Sequence, residues 1–524
     1  MHQNLSGILD CTLRDGGYYT NWDFEDDTLS GYLSAMKGAQ SVAAVEIGYR
    51  GVVKSKYMGR FYHTPRSVLE HCKANLRMDQ SLVVMLDEKD ISPEVIESLI
   101  GELQGVVDMV RFAVAPSRLA RVAELAEACD TLGFQVGLNI MYLNTYVDMP
   151  QVLEPLAQVK AAVVALVDSY GGCTPAEVAR AVAAAKDFLP QPIGFHGHDN
   201  ISLAFANSLA AIEAGATIVD ATIQGMGRGA GNTKTELMAG YFAAKKDFDV
   251  DFPALSATVE QFGKLQKKYE WGTNLAYMVS GLEGLPQADV MDWLGTRRYS
   301  MSSIVAALRQ QGDGKTDTHD FPTLAKSQVT KDFAGRPVVI VGGGESVVEH
   351  IEALRQFVAD HNAIVVHSTT RRAELFDALP NAQIYCLAGQ EVARLNGDGA
   401  SILYRADRYI VTQEPPRLPG STPMAENVYQ VVNWTSGDAR AKLGPITDEP
   451  PLDLAFATAE SLGASKIYLA GFDGYQNASL ADQHNARDVQ LALNQAKTRW
   501  GSNVMSLTPT LYKIPTISIY GLLQ

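Results

Sequence analysis

Short apolar runs alternate with longer amphipathic stretches from the beginning of the chain to about residue 240. Brief β-branched runs are typical of buried strands, whereas longer amphipathic stretches rich in Ala, Leu and Glu are typical of helices. The pattern predicts strands at 7–13, 42–47, 82–86, 106–113, 135–140, 161–167, 193–197 and 217–223. Helices are expected between them, for example at 116–132 and 174–189, and Thr174-Pro175 suits the first turn of the second helix.

Eight β/α units in this length have one economical solution, an α/β fold in which a closed parallel (β/α)8 TIM barrel is wrapped in helices. The active site of such a barrel gathers at the carboxyl ends of its strands. An open doubly wound sheet is the alternative, but it could not readily bring the first and seventh strands together. We therefore assign residues 1–250 to a TIM-barrel domain.

The pattern changes after the barrel. Residues 251–310 are predicted to form a helical extension. Residues 311–334 include a polar, glycine-containing run and are predicted to form a linker. Strands are predicted near 363–367, 383–386, 409–411 and 466–469, after a strand, a glycine turn and an amphipathic stretch at 336–357. Residues 335–524 are therefore predicted to form an open, Rossmann-like α/β domain.

Composition and charge narrow the range of partners. With 524 residues, 46% hydrophobic and 20% charged, the chain fits a soluble globular protein of several domains. A net charge of −15 argues against general affinity for nucleic acid or anionic membranes, although it allows a local basic pocket. Five widely spaced cysteines suit a reducing compartment. Because neither a leader nor a membrane-spanning apolar stretch is recognised, we expect a cytoplasmic protein.

Two histidines, His196 and His198, stand at the end of the predicted seventh strand. Side chains at i and i+2 of a strand point the same way, so this pair can hold one cation. A carboxylate from another strand would complete a two-imidazole, one-carboxylate site with positions left for substrate. Asp15, just after the first strand, is the candidate. The alternative is that each histidine is a satisfied core residue.

Other polar residues fall on the same predicted rim. Arg14 follows the first strand, and Glu46 lies near the end of the second. Asp168 and Ser169 follow the sixth strand, and the glycine-rich segment 225–232 follows the eighth. Each could be a cap or turn residue, but an acid, an arginine and two histidines on one rim favour a shared site.

Five segments, in order along the chain, carry a family resemblance. They are Leu9-Asp-Cys-Thr-Leu-Arg-Asp-Gly-Gly17, Val45-Glu-Ile-Gly48, Asp168-Ser-Tyr-Gly-Gly-Cys-Thr-Pro175, His196-Gly-His-Asp199 and Gly225-Met-Gly-Arg-Gly-Ala-Gly-Asn232. Together they resemble the DRE-TIM metallolyase superfamily of HMGL-like proteins, which includes 4-hydroxy-2-oxovalerate aldolases, hydroxymethylglutaryl-CoA lyases and isopropylmalate synthases. The resemblance covers about residues 5–310.

The resemblance implies a divalent cation held by Asp15, His196 and His198, with Asn232 as a further ligand in some members. Mn²⁺ is the first expectation, with Mg²⁺, Co²⁺ and Zn²⁺ as alternatives. A 2-oxo acid would chelate this cation, which stabilises an enolate while a carbon–carbon bond breaks or forms. Arg14 would stabilise the charge on the enolate oxygen. In this family the helical extension closes the site or forms a tunnel to a dehydrogenase, and here we expect a homo-oligomer.

The general base is where the sequence departs from the resemblance. The hydroxyoxovalerate aldolases carry a histidine three positions after the motif aspartate, where this chain has Tyr18. Because an ordinary tyrosine has a pKa of about 10, Tyr18 or its neighbour Tyr19 would need a lowered pKa to act as a base. The alternatives are a water activated by the cation, a different substrate, or two tyrosines that only form the pocket wall. Glu46 completes the candidate catalytic set.

Two segments of the second domain carry a separate resemblance. Gly342-Gly-Gly-Glu-Ser346 joins a strand to a helix, an arrangement that favours phosphate, and Lys466-Ile-Tyr-Leu-Ala-Gly-Phe-Asp-Gly-Tyr-Gln-Asn477 contains a Gly-x-Asp element. They resemble the Rossmann-like family that joins CMP-sialic-acid transferases with pterin-pyrophosphokinase-like proteins. The implied nucleotide or nucleotide-sugar pocket consists of Gly343, Gly344, Ser346 and Asp473. This resemblance connects the chain with surface-polysaccharide precursors.

The sequence therefore predicts a divalent-metal-dependent aldolase, a carbon–carbon lyase that cleaves or forms a 4-hydroxy-2-oxo acid. Its small-molecule partners would be a 2-oxo acid and an aldehyde, and the substrate could be sugar-derived or nucleotide-linked. A Claisen-type synthase that uses acyl-CoA is the alternative within the barrel. For the second domain, the alternatives are a nucleotide-dependent transferase, which would make the protein bifunctional, and an oligomerisation module.

Overall fold

The computed structural model describes residues 6–55, 57–296, 301–312, 317–387, 391, 407–417, 422, 425–432, 441–443, 446–448, 451–475 and 480–523. The chain forms two compact units, Met1–Ala288 and Asp289–Gln524. The division falls inside the predicted helical extension, at residue 288 instead of 250 or 310. No helix among the described residues is both long and apolar enough to cross a membrane.

The first unit contains a closed barrel of eight parallel strands. These are β1 (Gly7–Asp10), β2 (Val42–Tyr49), β3 (Ser81–Asp87), β4 (Met109–Val114), β5 (Gln135–Ile140), β6 (Val163–Asp168), β7 (Ile193–Gly197) and β8 (Ile218–Ala221). Neighbours pair in sequence order, and β1 closes the barrel against β8 with Gly7 opposite Ile218 and Asp10 opposite Ala221. The predicted TIM barrel is confirmed, and the open-sheet alternative is wrong.

Helices surround the barrel strands. They are α1 (Thr12–Asp15), α2 (Gly17–Thr20), α3 (Asp26–Gly38), α4 (Arg60–His63), α5 (Arg66–Ala74), α6 (Pro93–Ile100), α7 (Val122–Thr131), α8 (Pro175–Phe188), α9 (Ala204–Glu213), α10 (Thr235–Lys246), α11 (Phe252–Tyr269) and α12 (Leu275–Leu282). Short 3-10 helices lie at Glu88–Asp90, Gly101–Leu103, Pro116–Arg121, Leu143–Thr145, Pro150–Leu156 and Ile223–Gly225. The predicted helix at 116–132 thus begins as a 3-10 helix. Thr174 caps α8 in a reciprocal capping box with Glu177.

The barrel interior is packed, and this fixes the rim that carries the polar residues. Interior side chains from six strands form one buried cluster: Leu9, Ala44, Val83, Met109, Val163 and Ile218. Layered packing of this kind is typical of TIM barrels. The first strand is shorter than predicted, because the chain turns into α1 after Asp10, whose Oδ1 accepts a hydrogen bond from the Thr12 amide at 2.9 Å. As a result of this turn, Arg14 and Asp15 lie on the rim formed by the carboxyl ends of the barrel strands.

The second unit is built on a parallel sheet of seven strands. These are β9 (Val338–Val341), β10 (Ile364–His367), β11 (Gln383–Cys386), β12 (Arg408–Gln413), β13 (Val428–Val431), β16 (Ile467–Ala470) and β17 (Val504–Ser506), and a separate antiparallel pair consists of β14 (Ala441–Leu443) and β15 (Ile446–Asp448). The strands of the parallel sheet lie in the order β13-β12-β11-β10-β9-β16-β17. Val338 and Ile340 belong to one core, whereas Val339 and Val341 belong to another. The sheet is therefore covered on both faces, as predicted for an open α/β domain.

Helices of this part of the chain begin at the junction of the two units. They are α13 (Gln287–Thr296), α14 (Met301–Gly312), α15 (Gln328–Phe333), α16 (Ser346–Glu349), α17 (Ile351–Asp360), α18 (Pro451–Ser461), α19 (Leu480–Trp500) and α20 (Ile519–Leu522), with 3-10 helices at Leu324–Lys326, Ala373–Phe376 and Gly501–Asn503. The predicted linker at 311–334 differs from this structure, because Leu324 and Val329 are buried in the core of the second unit. Residues 313–316 of that linker lie outside the described residues.

His367 in β10 is expected to make the second unit sensitive to acid. The side chain is fully buried, Nε2 donates to Gln383 Oε1 at 2.9 Å, and Nδ1 has no hydrogen-bond partner among the residues that the structure describes. Burial, helped by the charge of Arg408 and opposed by the Gln383 hydrogen bond, lowers the pKa of His367 to about 4. An unfolded histidine has a pKa of about 6.5, so the unfolded chain gains its proton first as the pH falls. The free energy of unfolding is therefore unaffected by the protonation of His367 above pH 6.5, and it falls by about 3 kcal/mol as the pH drops towards 4.

Thermal unfolding of the full chain between pH 7 and pH 4 checks this prediction. His367→Phe keeps an aromatic ring against Tyr385, which stacks on His367 at 4.6 Å between ring centroids, but it cannot titrate. We expect this variant to lose most of the acid sensitivity of the second unit's transition. His361→Phe, at the C-terminal end of α17, is the control and should keep that sensitivity. An unchanged pH dependence in His367→Phe would contradict the prediction.

Candidate active site

A cavity of about 240 Å³ opens at the carboxyl ends of the barrel strands. Its walls combine predicted site residues with side chains of the surrounding loops, and they include Arg14, Asp15, Tyr18, Asn139, His196, His198 and Arg228. The site is thus carried by strand ends and by short segments that follow them. A rigid frame of this kind can hold reacting groups in a fixed arrangement.

Asp15, His196 and His198 form a set of potential cation ligands. One ligand atom from each side chain lies within 4.8 Å of the others, and all three side chains are buried. His196 belongs to β7, His198 follows it and pairs by a β-bridge with Asn232, and Asp15 ends α1. The structure therefore brings together the three residues that the sequence placed on one rim.

Hydrogen bonds orient both imidazole rings for cation binding. His196 Nδ1 lies 2.8 Å from Asp220 Oδ2, and His198 Nδ1 lies 3.2 Å from the Gly231 carbonyl oxygen. Because a carboxylate and a carbonyl can only accept, each Nδ1 carries the proton and each Nε2 keeps its lone pair. Support of this kind from a carboxylate or a carbonyl is usual for histidines that bind metals.

The electrostatic surroundings keep these side chains in the form that binds a cation. Burial, with His196 as the second cause, lowers the pKa of His198 to about 3, so its ring is neutral. Burial alone would raise the pKa of Asp15, but the Arg14 guanidinium, together with the hydrogen bond from Asn232, outweighs it and holds this pKa below its usual value. An ionised Asp15 carboxylate beside a neutral His198 ring suits the binding of a divalent cation, whose ligands must be deprotonated.

The position of Asn232 is compatible with a cation between Asp15, His196 and His198. Its Nδ2 donates to Asp15 Oδ2 at 2.5 Å, whereas its buried Oδ1 has no hydrogen-bond partner in the described part of the chain. An amide oxygen, a carboxylate and two imidazoles make a nitrogen and oxygen donor set that suits a divalent cation. Gly227 packs against the same pair, since a Cβ there would lie 2.2 Å from Asn232 Nδ2 and 2.6 Å from Asp15 Oδ2.

A second set of potential ligands, Cys11, His196 and Asp220, suits a cation less well. Asp220 is already bonded to His196 and, at 2.7 Å, to Arg111 Nη2. Burial raises the pKa of the Cys11 thiol well above its usual value, and the thiol points at the Ala221 carbonyl oxygen at 3.6 Å. We therefore interpret Asp220 as the support of His196.

Arg14 lies on the cavity wall between two carboxylates. Its Nη1 is 2.5 Å from Asp15 Oδ1, and its Nε is 2.7 Å from Glu46 Oε2. Glu46 is fully buried and also lies 3.4 Å from Arg111 Nη1. A carboxylate without solvent exposure cannot meet a substrate directly, so the geometry favours Glu46 as the residue that orients Arg14.

The two tyrosines that were predicted as candidate bases occupy different positions. Tyr18 lines the cavity, and its hydroxyl lies 3.3 Å from that of Tyr49. The Tyr19 hydroxyl donates to the Gly229 carbonyl at 2.9 Å, and burial raises the pKa of Tyr19 above its usual value. A base needs the opposite shift. The geometry therefore favours Tyr19 as an anchor of the glycine-rich loop and Tyr18 as the tyrosine that can reach a substrate.

Several residues of the site were not predicted from the sequence, and four of them bear directly on its chemistry. Arg111 and Asp220 form a buried ion pair, and Arg228 lines the cavity from the glycine-rich loop. Asn139 also lines it, with a buried Oδ1 that has no hydrogen-bond partner within the described ranges. The sequence does contain a signal for Arg111 and Asp220, because each is a charged residue in an otherwise apolar strand. These strands are Met-Val-Arg-Phe-Ala-Val and Ile-Val-Asp-Ala.

Asp220→Asn is expected to weaken cation binding by about 10- to 100-fold, because His196 loses the carboxylate that fixes its tautomer. Calorimetric titration of Mn²⁺ into the metal-free chain measures the change, and a melting curve reports the stability lost beside Arg111. Asp168→Asn is the control, since Asp168 ends β6 on the same rim, lies outside the ligand set and accepts hydrogen bonds from the nearby amides of Gly172 and Cys173. Equal affinities for Asp220→Asn and the wild type would contradict this role.

The predicted nucleotide-binding residues meet beside a cavity of about 560 Å³ in the second unit, which Gly343, Gly344 and Asp473 line. It lies beyond β9 and β16, where the strand order reverses and open α/β sheets bind ligands. The Ser346 amide donates to Asp473 Oδ2 at 3.0 Å, and the Ser346 hydroxyl donates to Oδ1. A protein carboxylate therefore occupies the helix start where a phosphate was expected. Residues 476–477 of the predicted motif lie outside the described residues.

Fold and site together define a TIM-barrel protein whose rim carries two histidines and a carboxylate in an arrangement that could hold a divalent cation. Residues 102–261 match the HMGL-like family model. A 4-hydroxy-2-oxovalerate aldolase from Geobacillus genomosp. 3 is 31% identical over 239 residues, which cover 44% of this chain and 68% of that protein. The chain therefore belongs to the HMGL-like family, and its enzyme class is that of the carbon–carbon lyases.

Two further relatives cover more of the chain. An oxaloacetate decarboxylase from Mycobacterium tuberculosis is 27% identical over 318 residues, which cover 58% of this chain and 90% of that protein. The crystal structure of the N-terminal domain of a Bacteroides vulgatus protein, provisionally named an aldolase, is 43% identical with a TM-score of 0.54. The match covers 57% of this chain and 99% of that domain.

Proposed function

We propose that the barrel catalyses the reversible aldol cleavage of a 4-hydroxy-2-oxo acid into a pyruvate-type 2-oxo acid and an aldehyde. The observation that carries this proposal is the cavity that combines Arg14 with the ligand set of Asp15, His196 and His198. A divalent cation held by this set supplies Lewis acidity towards the oxygen atoms of a 2-oxo acid. The relatives named 4-hydroxy-2-oxovalerate aldolase support the reaction type.

In the cleavage direction, the 4-hydroxyl group loses its proton, the C3–C4 bond breaks, and the electron pair moves onto C3 and the C2 oxygen. Arg14 stabilises the negative charge that grows on the C2 oxygen, because its guanidinium is buried and already oriented. Asp15 and Glu46 hold that guanidinium in place before the reaction. Protonation of C3 then gives the 2-oxo acid.

Tyr18 is the group that we propose for proton transfer at the 4-hydroxyl. Tyr18 lines the cavity, its hydroxyl lies 3.3 Å from that of Tyr49, and the Arg228 guanidinium lies 5.6 Å from its ring centroid. Tyr18→Phe is expected to lower kcat about 100-fold. Pyruvate release at saturating substrate measures this, and Tyr57→Phe, an exposed tyrosine, is the control. A kcat equal to that of the wild type would assign the base elsewhere.

The overall proposal is tested by incubating the Mn²⁺-loaded full chain with 4-hydroxy-2-oxovalerate and measuring pyruvate and acetaldehyde. Release of both without coenzyme A supports an aldolase. Release of coenzyme A from an acyl-CoA and a 2-oxo acid, without aldol cleavage, would instead establish the Claisen-type synthase. Oxaloacetate decarboxylation is a second candidate because of the relative from M. tuberculosis, and CO₂ release from oxaloacetate distinguishes it.

For the second unit we propose that the cavity of about 560 Å³ binds a nucleotide or a nucleotide-linked sugar. Its size is that of a small-molecule site, and its place in the sheet supports the proposal. Because Asp473 occupies the start of α16, we expect sugar hydroxyl groups to face this carboxylate. Calorimetric titration of CMP and other nucleotides into the full chain tests binding. No binding at millimolar concentration leaves the oligomerisation role, and turnover of a nucleotide sugar would establish a bifunctional protein.

A further inference from the structure

The barrel cavity is basic, although the protein as a whole is acidic. Its walls carry four basic and two acidic side chains, and the net charge of the chain is −15. The basic residues are Arg14, Lys89, Arg118 and Arg228, and the acidic residues are Asp15 and Asp87. A cluster of positive charge in a confined space raises the local concentration of anions.

Arg228 differs from the other three cations in its partners. Lys89 lies 2.8 Å from Asp87, Arg118 lies 3.1 Å from the fully buried Glu88, and Arg14 has the two carboxylates described above. Across the residues that the structure describes, Arg228 forms no ion pair, and its guanidinium lies over the ring of Tyr18. The charge of Arg228 is therefore available to a ligand.

The backbone around Arg228 is held on both sides. Gly227 packs on Asp15 and Asn232, where any side chain would collide with them. The carbonyl of Gly229 accepts the hydrogen bond from Tyr19, and Gly229 has a φ of +67°, a conformation that favours glycine. The backbone is therefore fixed on each side of Arg228, and this holds the Arg228 side chain on the cavity wall that also carries the cation ligands.

We propose, building on the aldolase function above, that Arg228 binds an anionic group at the end of the substrate that is remote from its 2-oxo acid group. The planar guanidinium forms paired, charge-assisted hydrogen bonds with either a carboxylate or a phosphate. The substrate class is then a 4-hydroxy-2-oxo acid with a second, terminal anionic group, and the released aldehyde is itself acidic. Arg228 is a specificity-determining residue in this assignment.

Two matched ligand pairs test the proposal by calorimetry on the Mn²⁺-loaded full chain. The carboxylate pair is 2-oxoglutarate and 2-oxovalerate, and the phosphate pair is 2-dehydro-3-deoxygluconate with and without its 6-phosphate. We expect the wild type to bind the anionic member of at least one pair about 30-fold more tightly. This ratio should fall close to one in Arg228→Met and recover in part in Arg228→Lys. Arg180→Met, a surface arginine, should keep the wild-type ratio.

The pair that shows the preference identifies the anion as a carboxylate or a phosphate. Equal binding of the two members of both pairs by the wild type would overturn the proposal, and so would a preference that survives in Arg228→Met. Pyruvate release from both gluconate derivatives is measured in parallel. If neither is cleaved while the binding preference depends on Arg228, the aldolase function fails for these substrates and the anion site stands.

Discussion

Replacing Asp15 by asparagine is expected to abolish tight divalent-cation binding and to lower kcat at least about 1,000-fold. Asp15 is the only carboxylate in a set that otherwise consists of two imidazoles and the amide of Asn232. Without the charge of that carboxylate, the remaining donors in a buried site cannot offset the cost of removing a divalent ion from water. The lost transition-state stabilisation then appears in kcat.

Metal content after dialysis and pyruvate release at saturating substrate measure both effects. Asp168→Asn again serves as the control, because it removes a rim carboxylate that is not part of the ligand set. This control should bind Mn²⁺ as the wild type does. If Asp15→Asn retained one equivalent of Mn²⁺ with unchanged affinity, Asp15 would be only an ion-pair partner of Arg14, and the proposed reaction would lose its basis.

That Asp15, His196 and His198 lie together could be predicted because the signals are local. Two histidines at i and i+2 share a face of a strand, and the barrel places every strand end on one rim, where Asp15 was expected to meet them. The first strand was predicted too long because Leu13 continues the apolar pattern of β1. The structure shows that Thr12 instead begins a helical turn, and its amide donates a hydrogen bond to the Asp10 carboxylate.

The supporting residues could not be predicted because their contacts join distant parts of the chain. Arg111 and Asp220 are 109 positions apart, and only the closed barrel brings their side chains to 2.7 Å. The role of Tyr19 depends in the same way on the loop that follows β8, more than 200 positions later. In the second unit, Asp473 meets Ser346 only because β9 and β16 are neighbours. Local patterns predict elements, whereas pairings of this kind follow from topology.

Arg14→Lys is expected to lower kcat by about 100- to 1,000-fold while cation affinity stays close to that of the wild type. Lysine keeps the positive charge, but its single ammonium cannot contact Asp15 and Glu46 together as the guanidinium does. The negative charge on the C2 oxygen appears only as the C3–C4 bond breaks, so the loss should fall mainly on kcat and less on KM. Steady-state kinetics of pyruvate release, with Mn²⁺ titration of the same variant, separate the two quantities.

A matched variant distinguishes the chemical role of Arg14 from its place in the ion-pair network. Glu46→Gln keeps the arginine and a hydrogen-bond acceptor but removes the charge that orients it, so its kcat should lie between those of Arg14→Lys and the wild type. Both variants weaken the buried network, so a fall in melting temperature common to both reports that structural contribution alone. If Arg14→Lys lost stability but kept its kcat, Arg14 would serve the network and not the reaction, and the charge on the C2 oxygen would need another partner.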